Sequence, residues 1–120
     1  MITFKDFSRA NRRRCESKRG FNHRLDSWST SDWFVAIIGE LGEAANVVKK
    51  LNRYRDGIRG NKETRAALRT KLRKELGDTQ VYLDLIAQSL RFDIFDAAVE
   101  VFNEKSKEIG YRGTIRRCRR

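Results

Sequence analysis

Glu40-Leu41-Gly42-Glu43 and Glu75-Leu76-Gly77-Asp78 each set two acids three residues apart inside an apolar stretch. On a helix, side chains at i and i+3 share a face, so each pair aims two carboxylates in one direction. Residues 33–38 (WFVAII) precede the first pair and residues 81–87 (VYLDLIA) follow the second. Four carboxylates in such surroundings are costly unless positive charge sits among them. A hard, oxygen-preferring cation such as Mg²⁺, with Mn²⁺ as an alternative, suits that donor set and points to phosphate chemistry. The competing expectation is a small basic helical protein that docks on nucleic acid, its acids serving only as helix–helix salt-bridge partners. The two differ in one geometric respect: catalysis needs the acids to converge, whereas the binding module needs each paired with Lys or Arg.

The elements that must position these acids are helical. The 120-residue chain contains no proline, so nothing forces a break in a long helix. Thr3 and Asp6 form a capping-box pattern for a first helix running to about Ser17, with a thin stripe of Phe4, Phe7 and Ala10. Residues 19–30 form a connection. Ser29 to Asp32 offer N-caps for a second helix ending near Arg53, and Asp56 to Asn61 read as a glycine-punctuated loop. A third helix is expected from about Lys62 to Leu90. Asp93 caps a fourth, which ends near Ile109 at Gly110. The expected fold is therefore all-α and bundle-like: one domain over residues 1–113, then a basic tail at 114–120.

Helical geometry extends the candidate site. Glu40 and Glu43 share a face with Val47 and Lys50, while Lys49 points away. Glu75 and Asp78 share a face with Lys71, Thr79 and Tyr82, and Asp84 lies on the other side. Lys50 and Lys71 are thus the first candidates for phosphate contact. Gly42 and Gly77 each cost a helix interior about 1 kcal/mol relative to Ala, which either close helix approach or room for a ligand could explain.

Net charge of +11 favours a polyanionic partner, a nucleotide or a nucleic acid. Cys15 and Cys118 show no metal-ligand spacing and read as reduced cytosolic thiols. His23 is the single histidine, which excludes a His-rich metal site. No apolar run is long enough to span a membrane and no signal-peptide pattern opens the chain, so a cytoplasmic location is expected.

Gly39-Glu40-Leu41-Gly42-Glu43, followed by Glu75-Leu76-Gly77-Asp78 and Tyr82-Leu83, resembles the ExxE…ExxD signature of the MazG-like, all-α nucleoside triphosphate pyrophosphohydrolases, a group that includes dCTP pyrophosphatases and dimeric dUTPases. The resemblance runs from about Thr3 through Tyr111. It implies a MazG-type four-helix fold and Mg²⁺ held by Glu40, Glu43, Glu75 and Asp78. It also implies cleavage of a nucleoside triphosphate to monophosphate and pyrophosphate, in a homodimer or homotetramer. The family often places a Lys and an Asn eight and four residues before a Tyr on the fourth helix to contact nucleotide. Here Asn103 and Lys107 precede Tyr111 in swapped order. The 31 residues between Glu43 and Glu75 slightly exceed the family spacing. Trp28 stands where relatives place a residue near the base and reads either as a stacking platform or as a hydrophobic staple. Tyr82 either packs or lines the pocket, Trp33 reads as core, and His23 as a loop residue without a catalytic part.

Overall fold

A computed structural model describes residues 1–116. It contains helices α1 (Phe4–Glu16), α2 (Thr30–Arg55), α3 (Arg65–Ser89) and α4 (Ile94–Glu108), with a 3₁₀ turn at Leu25–Ser27 between α1 and α2. No strand occurs among the described residues, so the chain is all-α as expected. Residues 117–120, most of the anticipated basic tail and with them Cys118, lie outside the described residues.

The caps are local and chemical. Thr3 Oγ1 accepts the Asp6 amide at 3.2 Å, and Asp6 Oδ2 accepts the Thr3 amide at 3.0 Å. Ser29 and Asp32 repeat the exchange at the start of α2, at 3.2 and 2.9 Å. Both pairs satisfy amides that a helix N-terminus leaves without partners. α3 begins three residues later than the sequence suggests, because Thr64 accepts the Ala67 amide and makes the cap. Glu63, just before the cap, is drawn to α2 instead. Tyr54 Oη donates to the Glu63 carbonyl at 2.5 Å, and Lys50 Nζ meets Glu63 Oε1 at 2.7 Å.

α2 and α3 form the antiparallel hairpin that dominates the structure. At one end α1 and the 3₁₀ turn close over it, and Cys15, Leu25, Trp33, Ile37, Leu85 and Ile86 form the core there. Trp33 Nε1 donates to the Leu25 carbonyl at 3.3 Å, so the indole is buried with its polar atom satisfied. α4 packs against α3, and its Phe95 ring stacks on Phe4 at 4.9 Å.

α1 docks differently from expectation. Ala10, assigned to its apolar stripe, is exposed, while Asn11 and Cys15 are its buried residues. The docking is polar: Asp84 of α3, only 1% exposed, accepts hydrogen bonds from Ser8 Oγ, from Asn11 Nδ2 at 2.8 Å and from Gln88 Nε2 at 2.9 Å. Asn11 also donates to the Val81 carbonyl at 3.0 Å. Replacing Asp84 by Ala leaves these donors without their acceptor, so unfolding in urea should show a loss of about 3 kcal/mol. A change below about 0.5 kcal/mol would contradict this role for the network.

Candidate active site

Running down the groove between α2 and α3, the antiparallel register lays out three neighbourhoods in order. Trp33 faces Tyr82, with ring centroids 6.4 Å apart. About 10 Å further along α2, by helical rise, come the acids. About 10 Å beyond Glu43, Lys50 stands opposite the start of α3.

Glu40, Glu43 and Glu75 bring carboxylate oxygens within 4.8 Å of one another. Asp78, one turn along α3, is exposed and falls outside that three-way group, yet its charge is the strongest acidic influence on Glu40. Burial, then Asp78, Glu43 and Glu75, push the Glu40 carboxyl above the ordinary glutamate range. Burial, then a hydrogen bond with Glu43 and the charges of Glu43 and Asp78, push Glu75 upward also, with Lys71 opposing. Among the described residues, no ion pair reaches any of the four acids. Like charges held together with no ion pair to any of them suit a divalent cation, and the donors are the hard oxygens that Mg²⁺ or Mn²⁺ takes. Gly42 and Gly77 flank this cluster, and a Cβ built on either meets nothing within 4 Å. Close helix approach within one chain therefore does not explain them.

On the far side of Glu43 and Glu75 lies a cleft of about 660 Å³, into which Lys50 and Lys71 project as expected. Lys50 is committed to Glu63, whereas Lys71 is exposed and influences both Glu75 and Glu63. Lys49, expected to point away, also lines this cleft; its long flexible stem overrides the direction set at its Cα. Arg53 was missed altogether. Its Nη2 donates to the Arg59 carbonyl at 2.7 Å, but its buried Nε has no hydrogen-bond partner. A buried donor without an acceptor is uncommon and costly, and this one sits in a cleft lined by lysines. The signal was present in sequence: Arg53 follows Lys50 by three residues and so shares its face.

Toward Trp33 the groove ends in an aromatic pocket of about 250 Å³, lined by Cys15, Phe21, His23, Trp28, Trp33, Tyr82 and Leu85. Trp28 is 36% exposed and sits edge-on to Trp33 at 4.7 Å and to His23 at 4.5 Å. His23 is therefore a pocket wall as well as a loop residue. Cys15 Sγ donates to the His23 carbonyl at 3.2 Å, and burial, the main influence on this thiol, raises its pKa. Tyr82 joins pocket and acids. Burial first, then the charges of Glu40 and Asp78, raise its phenol above the usual range.

Asn103 and Lys107 are not brought to the acids, and neither lines the cleft or the aromatic pocket. Asn103 instead holds the chain after α4: its Nδ2 donates to the Ile115 carbonyl at 2.9 Å and its Oδ1 accepts the Ile115 amide at 2.8 Å. Among the described residues, no helix is long and apolar enough to cross a membrane. No family model matches the chain, and no curated protein or solved structure matches it.

Proposed function

We propose that the chain is a Mg²⁺-dependent, MazG-like nucleoside triphosphate pyrophosphohydrolase that converts a ribo- or deoxyribonucleoside triphosphate to the monophosphate and pyrophosphate. The observation that carries this reading is the convergence of Glu40, Glu43 and Glu75 within 4.8 Å with no ion pair to any of them among the described residues. Helix-to-helix salt bridging, which the nucleic-acid-binding reading required of these acids, has no ion pair to rest on. The order of the groove supports the same substrate class: an aromatic pocket suits a base, and a basic cleft suits a phosphate chain, with acids between them.

Glu40, Glu43, Glu75 and Asp78 would hold the cation. Bound there, Mg²⁺ supplies neutralisation of phosphate oxygens and acidification of water. The rest falls to side chains. Trp28 and Tyr82 present faces and edges to the base. Lys50, Arg53 and Lys71 bind and orient the β- and γ-phosphates. One of the first-pair glutamates accepts the proton of the attacking water. Attack at the α-phosphorus breaks its bond to the bridging oxygen, which leaves with pyrophosphate.

A screen of the common ribo- and deoxyribonucleoside triphosphates tests the assignment, with phosphate detected in the presence and absence of added inorganic pyrophosphatase. At least one nucleotide should give phosphate only when pyrophosphatase is present, and consumption of that nucleotide, followed by chromatography without pyrophosphatase, should stop in EDTA. Phosphate release without pyrophosphatase would reject cleavage at the α-phosphorus.

A further inference from the structure

A second cleft, of about 640 Å³, lies where α1 meets the α3–α4 turn and shares no lining residue with the acid-flanked one. α1 crosses α3 through Asp84, half a turn around the helix from Glu75. Lys5, Arg9 and Arg12 form one stripe along α1, and Arg91 faces them from the turn. We infer that this cleft binds the phosphate backbone of single-stranded nucleic acid.

The four cations of the cleft outnumber the two acids that line it, Asp84 and Asp93. Asp84 is held by Ser8, Asn11 and Gln88, and Asp93 by the amides of Phe95 and Asp96, so both carboxylates are turned to internal donors. The pairs Arg9–Asp6 and Arg12–Glu16 are solvent-exposed, with the arginine side chains 72% and 55% accessible. Such pairs are weak and exchange readily for phosphate. From Lys5 to Arg12 the stripe rises about 10 Å along the helix.

One feature singles out a strand with accessible bases. Phe92, 47% exposed, stands beside Arg91 in the cleft and offers a stacking face that a duplex could not use. Arg91 itself has φ 64°, the left-handed position after α3 where glycine is free of strain. A cation is held at a place where backbone preference alone would select against it.

Fluorescence anisotropy with a labelled single-stranded oligonucleotide, on the full chain and without triphosphate or Mg²⁺, tests the inference. Affinity should fall with salt at a log–log slope of about −3, as expected for four phosphate contacts at about −0.7 each. The quadruple variant K5A/R9A/R12A/R91A should bind at least tenfold more weakly, while R24A/R55A/R59A/R69A, equal in charge, should stay within about threefold of the parent. Arg91→Gly alone should weaken binding and raise Tm, a combination that damage to the fold cannot produce. A duplex of the same sequence should bind more weakly. Equal losses in the two quadruple variants would overturn the inference. So would duplex binding as tight as single-strand binding, or binding to phosphatidylserine vesicles with none to the oligonucleotide. Since no hydrolysis is read, failure here leaves the pyrophosphohydrolase assignment standing, and the reverse holds too.

Discussion

Replacing Glu40, Glu43 or Glu75 by Gln should lower kcat/KM by two to three orders of magnitude, on the scale of removing one preorganised electrostatic partner, with Asp78→Asn losing activity as well. The size follows from what the carboxylates do together. Each removes a charge from a set whose members already repel, as the upward shifts of Glu40 and Glu75 record. In the metal-free protein the same substitutions relieve repulsion, so helical circular dichroism should be unchanged and Tm equal or higher. That pairing separates a cation site from a structural ion-pair network, in which removing one member exposes an unpaired charge and lowers stability. Near-normal turnover in both Glu40→Gln and Asp78→Asn would show the site assignment to be wrong.

A second large effect concerns mass. α2 is apolar on two adjacent faces. Trp33, Ile37, Ala44 and Val47 are buried against the rest of the chain. Phe34, Ile38, Leu41 and Val48 form a second stripe at i, i+4, i+7 and i+14, and these are 53%, 62%, 42% and 39% exposed. The dimensions agree: the radius of gyration is 17.9 Å, against about 13.5 Å for a compact domain of this length. Of the large apolar residues on α2, α3 and α4, Trp33, Ile37, Leu85 and Val99 are buried, Val81 and Leu83 half-buried, and Phe34, Phe95 and Phe102 exposed. Covering the α2 stripe with a second copy contributes on the order of 1 kcal/mol per side chain. Light scattering at micromolar concentration should therefore report two or four times the 14.1 kDa chain mass. Ile38→Glu, a charge in the middle of the stripe, should shift that species toward the monomer. A single species at chain mass for the parent protein would refute the assembly.

How far these residues could be read beforehand depends on whether their geometry is local. Thr3 with Asp6 and the two acid pairs were legible because each relation spans three residues of one helix, whereas for α2 the sequence offered several N-caps from Ser29 to Asp32 without choosing one. The beginning of α3 was not, because Lys50 and Tyr54, more than a turn away on α2, capture Glu63 and hand the cap to Thr64. α1 looked weakly attached because its stripe was judged by apolar residues, while Ser8 and Asn11 dock it through Asp84. The aromatic pocket draws walls from α1, the connection, α2 and α3, so His23 and Cys15 carried no local sign of belonging to it. Arg53 was within reach of helical spacing, but its unpartnered Nε appears only once the loop carrying Arg59 has folded over it.

Hydrolysis of the best nucleotide from the screen in water labelled with heavy oxygen, followed by phosphorus NMR, tests the central assignment most directly. With Mg²⁺ the label should appear in the nucleoside monophosphate and the pyrophosphate should be unlabelled, with no turnover in EDTA or in Glu40→Gln. Nucleoside diphosphate with labelled orthophosphate, or no turnover of any triphosphate by the parent protein, would contradict it.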